Sequence, residues 1–96
     1  MKPSAAFARN RSAIREAPGR FRAANPRVFG SVLHGTDREG SDLDLLVDAL
    51  PDATLFDLGA LQLELEALLG VPVDLLTSAD LPPNVRVWVL AEAVPV

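Results

Sequence analysis

The stretch Gly30-Ser31-Val32-Leu33-His34-Gly35-Thr36-Asp37-Arg38-Glu39-Gly40-Ser41-Asp42-Leu43-Asp44 sets a Gly-Ser pair and an Asp-x-Asp pair ten residues apart, between two apolar runs. Before it, Arg27-Val28-Phe29 reads as a short buried strand that stops at Gly30-Ser31. After it, Leu43, Leu45, Leu46 and Val47 signal a second strand that holds Asp42 and Asp44. Gly35, Thr36, Gly40 and Ser41 punctuate the loop between, with Asp37, Arg38 and Glu39 at its polar tip. A small-residue turn that opens a helix offers free backbone N–H groups to a phosphate, and two carboxylates on one strand can hold the divalent cations that phosphates carry. Side chains alternate along a strand, so Asp42 and Asp44 share one face roughly 6.5–7 Å apart, while Leu43, Leu45 and Val47 face the core. The pattern points to nucleotide chemistry.

Downstream of Pro51, residues Thr54 to Leu69 place Leu58, Leu61, Leu65, Leu68 and Leu69 at helical spacing, with Gln62, Glu64 and Glu66 on the wet side and Gly70 as the stop. Val71-Pro72-Val73-Asp74-Leu75-Leu76-Thr77 then reads as a third strand. A carboxylate in the middle of such a run is costly unless something uses it, which singles out Asp74. Leu81-Pro82-Pro83 opens a last helix, Asn84 to Ala93, with Val85, Trp88 and Val89 as its apolar face and Trp88 read as core packing rather than base stacking. Upstream, Phe7, Ile14 and Phe21 recur every seven residues beside Ala6, Ala13, Ala17 and Ala24. They form one stripe of an amphipathic helix that Pro18-Gly19 kinks or breaks and Asn25-Pro26 ends.

Ninety-six residues with 49% hydrophobic content suit one small domain, 1–96, too short for a catalytic unit plus a separate substrate domain. No apolar run is long enough to span a membrane and the start is not a secretory signal, so the expected location is the cytoplasm. Without cysteine and with a single histidine, a metal must be held by oxygen, which favours magnesium or manganese. The net charge of −4 is uneven. Residues 1 to 27 carry seven basic side chains against Glu16 alone, and the remaining 69 carry Arg38 and Arg86 against twelve acids. That balance makes direct nucleic-acid binding unexpected and leaves the basic segment as a solvated face or a dock for an acidic partner.

Nucleotidyl transfer needs an activated hydroxyl, an in-line α-phosphate and a neutralised pyrophosphate leaving group, which two magnesium ions held by about three carboxylates can provide. Asp42 and Asp44 are the expected bridging pair and Asp74 the third ligand, on the ion at the nucleophile. Gly30 lets the backbone approach the phosphates, and the Ser31 hydroxyl with nearby N–H groups would hold the β- and γ-phosphates. His34 reads as an exposed polar residue with phosphate contact as the alternative. Ser41 joins the nucleotide-binding set, its hydroxyl bonding the loop rather than acting as a nucleophile. The spacing Gly30-x4-Gly35 is not a P-loop, because Thr36-Asp37 stands where Lys-Ser or Lys-Thr is required.

With Asp74 to follow, Gly30-Ser31 and Asp42-x-Asp44 resemble the signature of the DNA polymerase β-like nucleotidyltransferases. The phrases Pro26-Arg27-Val28-Phe29-Gly30-Ser31, Ser41-Asp42-Leu43-Asp44-Leu45 and Val89-Leu90-Ala91-Glu92-Ala93-Val94 are similar to the minimal nucleotidyltransferases of the MNT antitoxin type. The resemblance implies an α/β (α+β) fold with a small mixed sheet flanked by helices, and Mg-ATP as donor. It also implies a HEPN-domain ribonuclease toxin as partner, neutralised by AMP transfer to a tyrosine. The chain departs from the pattern in carrying Val32, Leu33 and His34 where many relatives have arginine. Two other readings therefore stand beside the enzyme: a module that masks the toxin sterically, and the catalytic fragment of a small-molecule nucleotidyltransferase.

Overall fold

A computed structural model describes all 96 residues. Four strands form a mixed sheet in the order β3-β2-β1-β4, with β1 at Ala23–Phe29, β2 at Leu43–Ala49, β3 at Val73–Leu76 and β4 at Val94–Pro95. Strand β1 runs antiparallel to β2 and β4, and β2 runs parallel to β3. Helices α1 (Pro3–Arg9), α2 (Arg11–Glu16) and α4 (Leu55–Leu69) cover one face, α5 (Pro83–Glu92) covers the other, and the short α3 (Gly30–His34) leads out of β1.

The alternation read from the sequence builds both faces. Leu43, Leu45 and Val47 of β2 enter the main core with Ala6, Phe7, Ile14, Leu61 and Leu65. On the opposite face Leu46, fully buried, packs with Leu81 and Val89 in a smaller cluster flanked by Phe29 and Leu76. The parallel β2–β3 pair is joined by the α4 crossover, as parallel strands require. Helix α4 begins with a reciprocal capping box, in which Thr54 accepts from the Asp57 amide while Asp57 accepts from the Thr54 amide, and it ends at Gly70 as expected.

The N-terminal segment differs from the helix, kinked or broken at Pro18-Gly19, expected up to Asn25-Pro26. The apolar stripe is right, with Phe7 and Ile14 buried and Phe21 half-buried, but the axis breaks twice. After α2, Ala17–Phe21 forms a 3-10 turn around Pro18, and Arg22 in the left-handed region (φ 57°) turns the chain directly into β1. The strand thus begins at Ala23 and runs through Asn25-Pro26. A β-bulge makes this possible: Ala24 pairs with Asp48 and Arg27 with Leu46, so Asn25 and Pro26 together oppose Val47. A bulge is where a strand accommodates a proline that lacks the N–H of the ladder.

The last helix is also oriented differently from the expectation. Val89 is its buried residue, whereas Trp88 is 69% exposed and Val85 is exposed as well. Arg86 is half-buried beside Val89, its guanidinium donating to the carbonyls of Ser78 and Leu81. No helix is long and apolar enough to cross a membrane.

Asp37, expected at a polar loop tip, is the one buried charged residue. Its carboxylate accepts a 2.8 Å hydrogen bond from the Ser4 amide at the start of α1, which holds its proton affinity below the ordinary aspartate value. A depressed carboxyl contributes stability above its unfolded pKa and loses it as pH falls through the folded value. Asp37→Asn is therefore expected to lower the urea midpoint at pH 7 with the slope unchanged, and the deficit should shrink once the pH falls below the ordinary value of 3.8.

Candidate active site

The sequence-predicted residues meet at one end of the sheet. Because β1 and β2 are antiparallel, the end of β1 lies beside the start of β2, with Phe29 paired to Asp44. Because β2 and β3 are parallel, their starts coincide, with Asp44 paired to Asp74. A hydrogen bond of 2.9 Å from the Leu43 amide to the Pro72 carbonyl ties the beginnings of β2 and β3 together. Asp42 lies one residue ahead of β2 rather than within it. Strand alternation sends Asp44 to the face opposite Leu43 and Leu45, the face that α5 covers further along at Leu46.

Gly30 has a steric reason to be glycine. Its φ of +73° is unfavourable for a side chain, and a Cβ at this position would lie 2.1 Å from Asp44 Oδ2 and 3.0 Å from its Cγ. The Asp44 carboxylate therefore rests against bare backbone at the first residue of α3. No side chain caps that helix start, and Ser31 is half-exposed at its second position.

The electrostatics mark Asp44 as the centre. Partial burial, with Asp74 and Asp42 nearby, pushes its pKa from 3.8 up to about 6. Other aspartates of the chain are satisfied by the protein: Asp37, Asp57 and Asp80 accept backbone amides and Asp48 accepts Arg27. Asp42, Asp44 and Asp74 have neither a hydrogen-bond donor nor a cationic side chain among their contacts. Clustered carboxylates with free oxygens are the donor set a hard divalent cation takes, and these three are the residues that could hold one. Asp42 and Asp74 are exposed, and no three acidic or histidine side chains are closed into a ready coordination cage.

Two expected nucleotide contacts are engaged elsewhere. Ser41 Oγ accepts the Arg38 amide at 2.9 Å while its own amide donates to the Arg38 carbonyl, closing the turn before Asp42. His34, exposed, sets Nε2 3.1 Å from Glu92 at the end of α5. Val32 and Leu33 pack against the main core, so α3 uses both positions for packing. The His34–Glu92 contact and the Asp37 tether were not foreseen, since each joins residues more than thirty positions apart with no local motif between them.

A nucleotidyltransferase domain model matches residues 13–95. This chain belongs to the nucleotidyltransferase domain family. It is 39% identical over 80 residues to the protein adenylyltransferase MntA of Thermococcus cleftensis, covering 83% of this chain and 81% of that one. A Methanocaldococcus jannaschii protein provisionally named a protein adenylyltransferase is 41% identical over 69 residues, covering 72% and 74%. A solved structure provisionally described as a minimal nucleotidyltransferase superposes with a TM-score of 0.87 at 44% identity, covering 97% of this chain and 95% of that one. The fold is also that of a toxin–antitoxin structure with AMP-PNP, at a TM-score of 0.67, 18% identity and coverage of 97% and 71%. The chain is thus a minimal nucleotidyltransferase, with the mixed sheet and flanking helices that the resemblance implied.

For this nucleotidyltransferase a raised Asp44 pKa means that the native state holds more protons than the unfolded one between pH 3.8 and about 6, so stability falls as pH rises through that window. Asp44→Asn is expected to flatten this slope and to melt higher than wild type above pH 7 in the absence of divalent cations. Gly30→Ala should lose at least about 1 kcal/mol through its left-handed backbone alone, read by urea denaturation.

Proposed function

We propose that this nucleotidyltransferase moves AMP from Mg-ATP to a hydroxyl of a partner protein and acts as the antitoxin of a toxin–antitoxin pair, in a single minimal domain in the cytoplasm. The observation that carries the chemistry is the set of free carboxylates Asp42, Asp44 and Asp74 at the aligned strand starts, with Asp44 against Gly30. Two relatives named as protein adenylyltransferases support the acceptor class, and a toxin–antitoxin structure of the same fold is in keeping with the biological setting. A HEPN-domain ribonuclease toxin modified on a tyrosine is the partner that the family resemblance supplies.

Asp42, Asp44 and Asp74 would hold two magnesium ions, which when bound neutralise the phosphate charge and lower the pKa of the attacking hydroxyl. The acceptor oxygen bonds to the α-phosphorus of ATP as the bond to pyrophosphate breaks, giving the AMP ester and free pyrophosphate. Gly30 lets the backbone at the start of α3 approach the triphosphate, and the Ser31 hydroxyl and neighbouring amides orient it. Asp74, exposed on β3, faces the arriving hydroxyl and helps draw off its proton. Ser41 keeps Asp42 in place through the Arg38 turn. His34 reaches a phosphate only by leaving Glu92.

The packing of Val32 and Leu33, with His34 held by Glu92, favours a second reading in which the chain masks the toxin without transferring AMP. Co-expression separates the two. The partner's intact mass should rise by one or more AMP units with wild type and stay unchanged with Asp42→Asn/Asp44→Asn; an unmodified partner that remains bound to both would establish masking. Saturating Mg-ATP should raise the melting temperature of wild type, by linkage about 2.7 kcal/mol at a hundredfold excess over Kd, and leave the double variant unmoved.

A further inference from the structure

Helix α4 buries one face and leaves the opposite face apolar as well. Leu58, Leu61, Leu65 and Leu69 pack into the core, whereas Phe56 is 89% exposed and Leu63 68% exposed, with Ala60 and Ala67 exposed beside them. Spacings of four, three and four residues place Phe56, Ala60, Leu63 and Ala67 on one stripe along the helix. The carboxylates flanking it are all held within the chain: Asp57 by the Thr54 amide, Glu64 by Arg20 and Glu66 by the Val73 amide. An apolar stripe on the outside of a helix whose inside is already packed marks a second contact surface.

We propose that this stripe is the contact of a homodimer in which two copies of α4 pack antiparallel about a two-fold axis passing between Leu61 and Gln62. In that register the stripe is its own complement in size. Phe56 of one copy meets Ala67 of the other, and Ala60 meets Leu63, so a large side chain faces a small one at every contact, as an isologous interface requires. A parallel pair would instead set Phe56 on Phe56 and Ala60 on Ala60, a clash beside a void. With about 150–250 Å² for an aromatic side chain and less for leucine, the four residues of the stripe supply roughly 400 Å² per copy, about 800 Å² in the pair, the size of a weak, concentration-dependent association. The carboxylate site uses the opposite face of the sheet, so both sites in the dimer stay open.

The absence of cysteine makes the geometry directly testable. Positions 56 and 67 are about 16 Å apart along one helix and cannot bridge within a chain. Under mild oxidation the Phe56→Cys/Ala67→Cys variant is expected to form a covalent dimer, while each single variant stays uncrosslinked. Wild type should sediment as a dimer at about 100 μM, a concentration that populates even a micromolar interface, and Leu63→Glu should sediment as a monomer with unchanged helical circular dichroism. A wild-type monomer, a dimer that Leu63→Glu leaves intact, or crosslinking in a single variant would overturn the proposal. So would a monomer that uses this stripe for a different protein.

Discussion

The contact between the Asp44 carboxylate and the bare Cα of Gly30 fixes how the functional end of this molecule is built. It requires the antiparallel register that pairs Phe29 with Asp44, and it requires the chain to leave β1 through a left-handed glycine. The same register brings the start of α3, with no side-chain cap, beside the starts of β2 and β3. A one-residue slip of β2 would carry Asp44 into the leucine core and push Leu43 and Leu45 to the site, so burial of the leucines and placement of the carboxylate are a single constraint.

That placement works against stability. Asp44 is partly buried beside two other carboxylates with no protein group to relieve it, while charged residues elsewhere are tethered: Asp37 to α1, Arg86 to the turn before α5, Asp57 to its capping box. The cost is tolerated because the apolar residues of β2 are fully buried on both faces, with Leu43, Leu45 and Val47 under α1, α2 and α4 and Leu46 under α5. Unrelieved repulsion of this kind is what a ligand of opposite charge would relieve.

The charge asymmetry of the sequence is partly cancelled in space. Arg20, Arg22 and Arg27 pair with Glu64, Asp52 and Asp48, and Arg15 donates to the Val96 carbonyl. Lys2, Arg9 and Arg11 are left without an ion pair, Arg11 lying over the Phe7 ring at 5.1 Å. Three of the seven cations of the basic N-terminal run are thus held by acids of the sheet, of the turn after it and of α4. Exposed pairs of this kind add little to stability, and their effect is to leave fewer free cations for a partner than the sequence count suggests.

Local rules were enough wherever the determining contacts lie within one turn or one strand. The alternation of Leu43 to Val47, the strand around Val73, the capped helix between Thr54 and Gly70 and the glycine-serine turn were all legible, and with them the three aspartates that meet at the aligned strand starts. The sequence misled where distant residues decide: the heptad of Phe7, Ile14 and Phe21 reads as one helical stripe until Arg22 turns back to pair β1 with β2, and Trp88 reads as core until α5 packs with Val89 buried instead. Asp37 looks like a loop tip until α1 supplies its amide. Periodicity says which side chains want burial, so the sequence by itself determined most of the elements and singled out the carboxylates at the strand starts. Only the tertiary structure, through sheet register and the closing of loops, decided which of those residues share a point in space and which are held by something else.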